Sequence, residues 1–316
     1  MRVSAGLPTG VDALFFENVT CRRRLEESLV QHMEAGGFSE VILPILDDFE
    51  PYQKLLQQKN PCGLYRFVDR FGKILVLRAD FTPMLARLMA PRLDSLALPL
   101  KVFYRGDVFR YREGWAGHSR EFFQFGAEIL TDGQGQPGRL ALRRFLEVVE
   151  QTRRPVAVVL GFAGALDELV QIPTAEHSPR SVVEAVQRRE RAVARKCGPE
   201  LLEVVEHGCP SDPSALGETA ARKLVSLEAL KKECERDFPS VTLEIDLAEF
   251  AQEVLDPALQ MQPRARTYYD GLMFRAFEAT KSVSVGGGGR YDRLFHRLNA
   301  NVHAAGFGIS LDLLVS

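Results

Sequence analysis

Nowhere in the 316 residues does an apolar run approach the ~20 that a membrane-spanning helix needs, so the sequence predicts no membrane anchor. Net charge is also missing. Forty Lys and Arg against 42 Asp and Glu leave −2, which excludes the strong one-sign field of a nucleic-acid or anionic-membrane binder. The opening stretch, MRVSAGLPTGVDALFF, lacks the apolar core of a secretory signal. Cysteine is sparse: five residues, an odd number, with no C-x-x-C pair. Neither a disulfide framework nor a zinc site is implied, and a reducing cytoplasm is the compartment expected. Nothing asks for a metal or other cofactor. What is present is an ordinary globular balance, 46% hydrophobic and 26% charged, in a chain long enough for one large domain or two of common size.

The apolar periodicity predicts a helix over 18–35, with Leu25, Leu29 and Met33 on one face and Gly36–Gly37 as its stop. SEVILPIL (39–46) reads as a strand broken at Pro44. Residues 64–69 and 73–79 read as a hairpin around Arg70–Phe71–Gly72. At TPMLARLMA a helix is expected, with Thr82 as N-cap and Pro83 as first helical residue. Segments 98–111 and 120–130 predict an antiparallel pair joined by a loop. A helix follows over 137–152, marked by Leu142, Phe145, Leu146 and Val149, and then a strand over 155–162. Residues 172–240 are charged and helical, and strand character returns at 241–246, 267–277, 282–286 and 304–310. The fold class expected is α+β, an antiparallel sheet flanked by helices. Residues 1–164 and 241–316 form its core, and 165–240 form a helical insertion.

One stretch stands out, SVGGGGRYD (284–292). No Lys-Ser/Thr pair follows the glycines, so it is not a Walker loop. It does not open a helix as a dinucleotide fingerprint does. A glycine-rich turn or bulge is the plain reading. Elsewhere, strand alternation puts Gln124, Gly126 and Glu128 on one face, with Arg110 near Gln124 across the pair. Asp80 and Thr82 lie where another strand ends. Tyr268 and Tyr269 point to opposite faces, so one of them meets solvent or a ligand. Two carboxylates, an amide, an arginine and tyrosine hydroxyls suit a zwitterion with a polar side chain. Each residue also has a purely structural account. Thr82 caps a helix, Asp80 caps it or pairs with Arg78, and Glu128 forms a cross-strand ion pair. Tyr268 is core, Arg110 and Arg112 lie on a solvated face, and His118 sits in an exposed loop. Residues alone leave the ligand unnamed.

FRYREGWAGHSREFFQFGAE (109–128) resembles motif 2 of class II aminoacyl-tRNA synthetases in its histidyl form. LRADFT, TYYDGLMF and GGGGRYDRL resemble three further histidyl-tRNA synthetase segments in the same order, and VILPILDDFE looks like motif 1, with Pro44 as its proline. The likeness implies a class II synthetase core. It implies that Asp80, Thr82 and Gln124 receive the amino group of histidine and that Glu128 and Tyr269 read its imidazole. Tyr291 and Tyr268 would line the pocket, with Arg264 a further histidine-site candidate. Arg110 would meet the carboxylate and, in the enzyme, the ATP α-phosphate. The glycines would then be a sheet element close to an amino acid.

Departures from the synthetase pattern fall in the nucleotide half. Arg112 stands where motif 2 has glutamate, His118 where arginine is common, and Leu313 where motif 3 has its arginine. Losing a cation from a triphosphate site removes charge-assisted bonds. The sequence ends at Ser316, so no anticodon-binding domain and no tRNA are expected. This combination resembles the family of synthetase paralogues that regulate ATP phosphoribosyltransferase. That resemblance implies a non-catalytic subunit partnered with a short catalytic subunit and responsive to L-histidine, as a homodimer within a hetero-oligomer. Two alternatives stand beside it. One is a reduced synthetase-like enzyme making an aminoacyl-adenylate for an unusual acceptor. The other is an interaction module that has kept only the fold.

Overall fold

Alternating side chains build the centre of the molecule. The computed structural model describes residues 6–56, 63–111, 119–133, 135–170, 178–253, 269–279 and 283–315. Its strands are β1 (Ser39–Glu40), β2 (Leu46–Asp48), β3 (Arg66–Val68), β4 (Ile74–Leu77), β5 (Leu100–Phe109) and β6 (Glu121–Thr131). They continue with β7 (Val156–Phe162), β8 (Thr242–Ile245), β9 (Leu272–Glu278), β10 (Val283–Arg290) and β11 (His303–Ser310). Eight of them form one sheet in the order β1-β5-β6-β11-β10-β9-β7-β8, and β2-β4-β3 form a smaller one. The inner pairs of the large sheet are antiparallel, while β1–β5 and β7–β8 at its edges are parallel.

One face of the large sheet is the core. Phe125, Ala127 and Ile129 of β6 alternate inward, as do Phe307 and Ile309 of β11, and all are buried. Under them packs the fourth of the helices α1 (Phe16–Ala35), α2 (Phe49–Leu56), α3 (Phe81–Met89) and α4 (Pro137–Gln151). The Phe145 ring of α4 lies 4.9 Å from Phe274 and 5.4 Å from Phe307, within the range where aromatic pairs attract beyond their buried area. The helical stretch between β7 and β8 joins the same apolar cluster through Val183, Val204 and Leu224. The opposite face of the sheet carries the glycines and the polar side chains, and it holds the candidate site. No helix among the described residues is long and apolar enough to cross a membrane.

Three local expectations are corrected. Residues 41–45 are not strand, because the buried Arg78 guanidinium takes the carbonyls of Leu43 and Pro44, at 2.6 and 3.1 Å. The N-cap of α3 is Asp80, not Thr82. The glycine run is not a turn: Gly286 to Gly289 lie within β10, the sheet element that the resemblance implies, with a bulge-like register shift just before them at Ser284/Gly286. Sequence places glycine in turns by its freedom at positive φ, but here extended backbone needs it for a different reason, the close approach of β9, β11 and the Tyr269 ring.

Candidate functional site

Glu128 sits at the centre of the polar face, 1% exposed. Three hydroxyls donate to its carboxylate. Thr82 Oγ1 and Tyr104 O–H reach Oε1 at 2.6 and 3.0 Å, and Tyr291 O–H reaches Oε2. Burial raises its pKa to about 8; the nearby Asp80 charge adds to that rise, and the three hydroxyls oppose it. Burial, then the Glu128 and Asp80 charges, push the Tyr104 phenol well above its ordinary value. The expected cross-strand ion pair of Glu128 is therefore replaced by a hydroxyl cage.

Each donor is placed by its element. Asp80 caps α3 by accepting from the Thr82 backbone N–H at 3.1 Å, which leaves the Thr82 hydroxyl for Glu128. Arg78 does not pair with Asp80; it donates to the carbonyls of Leu43, Pro44 and Asp107. Tyr104 stands opposite Gly126 in the β5–β6 register and stacks on Phe81 at 4.2 Å. Tyr291 follows the last residue of β10, and its N–H donates to Ala304 O at 2.8 Å. Asp292 locks that corner. Its Oδ1 accepts from Ala304 N at 2.9 Å and its Oδ2 accepts from Arg290 Nε at 2.9 Å. Burial works against the Asp292 charge, but Arg290 and His303 hold its pKa below the ordinary value.

The glycines make room for this cluster. In the β6–β11 register Gly306 faces Glu128 and Gly308 faces Gly126. A Cβ on Gly306 would fall 1.5 Å from Glu128 Oε2, and one on Gly308 would fall 2.1 Å from Gln124 Nε2. The two side chains thus lie flat across β11. Tyr269 covers Gly289, whose added Cβ would meet Cδ1 at 3.0 Å, and its ring centroid is 6.4 Å from that of Tyr291. The three atoms nearest a Cβ on Gly287 are all backbone, the closest being Phe274 O at 2.6 Å. Gln124 is 7% exposed and Ser310 5%, and Gln124 Oε1 and Ser310 Oγ have no hydrogen-bond partner among the described residues. A buried acceptor of that kind is costly unless a ligand answers it.

The structure thus brings together Asp80, Thr82, Gln124, Glu128, Tyr269 and Tyr291. Arg110 joins them beside Asp80 but does not take the expected place across from Gln124. Gly106, not Arg110, stands opposite Gln124. Arg110 donates from Nε to Ala79 O at 2.8 Å and lies 3.9 Å from Asp80 and 5.3 Å from the Phe122 ring. The register counted back from the loop, not side-chain chemistry, decides this. Arg112, His118, Arg264 and Tyr268 lie outside the described residues. Leu313 is half-buried and packs against the large apolar cluster. Tyr104, Gly306, Gly308 and Ser310 were not singled out from sequence. Tyr104 was within reach, since the hairpin register pairs it with Gly126.

Residues 10–314 match the family model described as histidyl-tRNA synthetase. The ATP phosphoribosyltransferase regulatory subunit of Moorella thermoacetica is 30% identical over 335 residues, covering 98% of this chain and 81% of that one. A solved structure from Bacillus halodurans, described as an ATP phosphoribosyltransferase regulatory subunit/histidyl-tRNA synthetase, superposes with TM-score 0.78 at 21% identity, over 100% of this chain and 83% of its own. A chain of the ATP phosphoribosyl transferase (HisG:HisZ) complex from Thermotoga maritima gives TM-score 0.61 at 21% identity, over 92% and 97%. At that identity these two establish the shared fold. The chain therefore has the class II synthetase-like fold and belongs to the histidyl-tRNA synthetase family and, within it, to the ATP phosphoribosyltransferase regulatory subunits.

Proposed function

We propose that the chain is a non-catalytic subunit that seats L-histidine on its glycine floor, docks on a short catalytic ATP phosphoribosyltransferase, activates it and relays feedback inhibition. The observation that carries this reading is Glu128, buried in a cage of three hydroxyls with its pKa raised to about 8. Such a carboxyl is largely protonated at neutral pH and shares one proton with a neutral imidazole without leaving an unpaired buried charge. Asp80 and the unpartnered Gln124 Oε1 suit the ammonium at the other end of the ligand. Feedback then requires histidine to bind two conformations of the complex with different affinity.

Leu313, packed against the apolar cluster, supports the non-catalytic reading over adenylate formation, because it offers no charge to a triphosphate. A homodimer is supported by apolar side chains on and beside the small sheet: Val68, Phe71 and Ile74 are 66%, 76% and 49% exposed. A cytoplasmic setting is supported by the sparse, odd-numbered cysteines.

The test is reconstitution with a short catalytic subunit. Activity is expected to rise on adding the chain and to fall as histidine is titrated in. Histidine-dependent ATP–pyrophosphate exchange by the chain alone would replace this reading with the adenylate-forming one. Failure to bind histidine, alone and in the complex, would remove it.

A further inference from the structure

Ser310 is buried on the polar face of the sheet with its hydroxyl unanswered. It stands directly opposite Gln124 in the β6–β11 register, and directly paired residues share a face. Only 5% of it is exposed, and its Oγ has no hydrogen-bond partner among the described residues. Gln124 Oε1, on the neighbouring strand, is in the same condition. Three neighbours of the pair on that face are glycines: Gly106 across from Gln124, Gly126 two residues along β6, and Gly308 two residues back along β11. A glycine brings no side-chain donor or acceptor. Burying two unanswered oxygens on paired residues costs stability, a cost found at binding sites whose ligand supplies the missing partner.

Counting donors and acceptors points to that partner. An ammonium group carries three N–H donors. Asp80 offers one acceptor. Its Oδ1 is taken by the Thr82 N–H, but its Oδ2 lies 3.9 Å from Arg110 Nη2, outside hydrogen-bond range, and the side chain keeps 26% exposure. Gln124 Oε1 is the second, and Ser310 Oγ, on the residue paired with it, is the third. A serine side chain swings among staggered positions about a single torsion, so the hydroxyl meets a ligand without movement of β11.

We infer that Ser310 Oγ accepts a hydrogen bond from the ammonium group of the bound amino acid. With Asp80 and Gln124 it completes a seat of three acceptors that selects ligands by their amino group. This rests on the histidine reading of the site given above.

The test compares L-histidine with imidazolepropionate, the same molecule without its amino group. Calorimetry is run on the full chain and on Ser310→Ala, with thermal melts of both unliganded chains. The unaltered chain should favour histidine by roughly tenfold or more, as a site built around a charged group does. Ser310→Ala should weaken histidine by about tenfold, because a hydrogen bond to a charged group is lost, and leave imidazolepropionate unchanged. Its unliganded melting temperature should hold or rise, because an unanswered buried hydroxyl is removed. A variant that melts lower, weakens both compounds alike or keeps full histidine affinity overturns the role of Ser310 and leaves the histidine reading intact. An unaltered chain that binds the two compounds equally overturns the ammonium seat, and one that binds neither overturns the histidine reading with it.

Discussion

Thr82 donates a 2.6 Å hydrogen bond to Glu128 from 46 residues away in sequence. That bond joins the start of α3 to the middle of β6 and closes the cage around one buried carboxyl. Its chemistry separates folding from sensing. Glu128→Ala would leave the Thr82, Tyr104 and Tyr291 hydroxyls without their acceptor, at about 1–3 kcal/mol for each unsatisfied group. Glu128→Gln keeps an acceptor and the volume but cannot exchange a proton with an imidazole. We expect Glu128→Ala to melt clearly lower. Glu128→Gln should fold with only a small loss and weaken histidine inhibition of the reconstituted complex by tenfold or more, on the order expected for a lost charge-assisted pair. Both variants, where folded, should still activate the catalytic subunit. Thermal melts beside inhibition curves check this.

Histidine affinity should pass through a maximum near neutral pH. The Glu128 carboxyl is raised to about 8 by burial, and a free imidazole titrates at about 6.5. Between those values the site brings one proton and the ligand none, and the complex holds one. Below about 6.5 the ligand must shed a proton on binding, and above 8 the pair must take one up. Affinity therefore falls on both sides. The same shift enters stability. The folded state holds its proton more tightly than the unfolded chain does. Glu128 therefore contributes fully below pH ~4.5, and that contribution is lost as pH rises through 8. Calorimetry at several pH values, in buffers of different ionisation enthalpy, reads both effects. In Glu128→Gln the alkaline decline of affinity should disappear.

Gly306 and Gly308 are where the fold yields space to the site. Gly306→Ala would put a methyl group 1.5 Å from Glu128 Oε2 and 2.5 Å from Ala127 O, and Gly308→Ala would collide with Gln124 at 2.1 Å. The first meets backbone as well as a side chain, so β11 must shift, at a cost of about 1–3 kcal/mol. The second meets only the Gln124 side chain among its nearest neighbours, which can turn away. Gly306→Ala should therefore lose both stability and histidine binding. Gly308→Ala should keep most of its melting temperature and lose binding. Equal melting losses in the two variants would contradict this division.

Much of this arrangement could be read before any coordinates, for physical reasons that differ by element. The hairpin of β3 and β4, the pair β5–β6 and helix α4 follow from local periodicity, and they appear close to their expected limits. The glycine run does not yield to local reasoning, because its requirement comes from the close approach of β9, β11 and the Tyr269 ring, which meet it only in the folded sheet. The cap at Asp80 in place of Thr82 has a similar reason. Either Asp80 or Thr82 can satisfy the first turn, and only the tertiary bond to Glu128 decides between them. Pro44 marks a strand break, but its extent depends on the buried Arg78. Arg110 does not stand opposite Gln124 because a one-strand argument fixes the face of a residue and not its register.

Asp292 offers a test of positioning without touching the ligand. Its carboxylate gathers the Ala304 N–H, Arg290 and His303, and the next residue back is Tyr291, which donates to Glu128. Asp292→Asn keeps one oxygen but turns an N–H₂ group toward Arg290 and His303 if the Ala304 bond is retained. A charge-assisted pair is lost, worth about 1.5–3 kcal/mol. The turn between β10 and the helix Asp292–His296 should loosen, and Tyr291 should sample positions away from Glu128. We expect histidine affinity to fall several-fold. Glu128 should lose an opposing hydroxyl donor, so its pKa should rise further and the alkaline limb of the affinity profile should move to higher pH. A profile that keeps its shape while affinity falls would show that Asp292 acts on the site by another route than Tyr291.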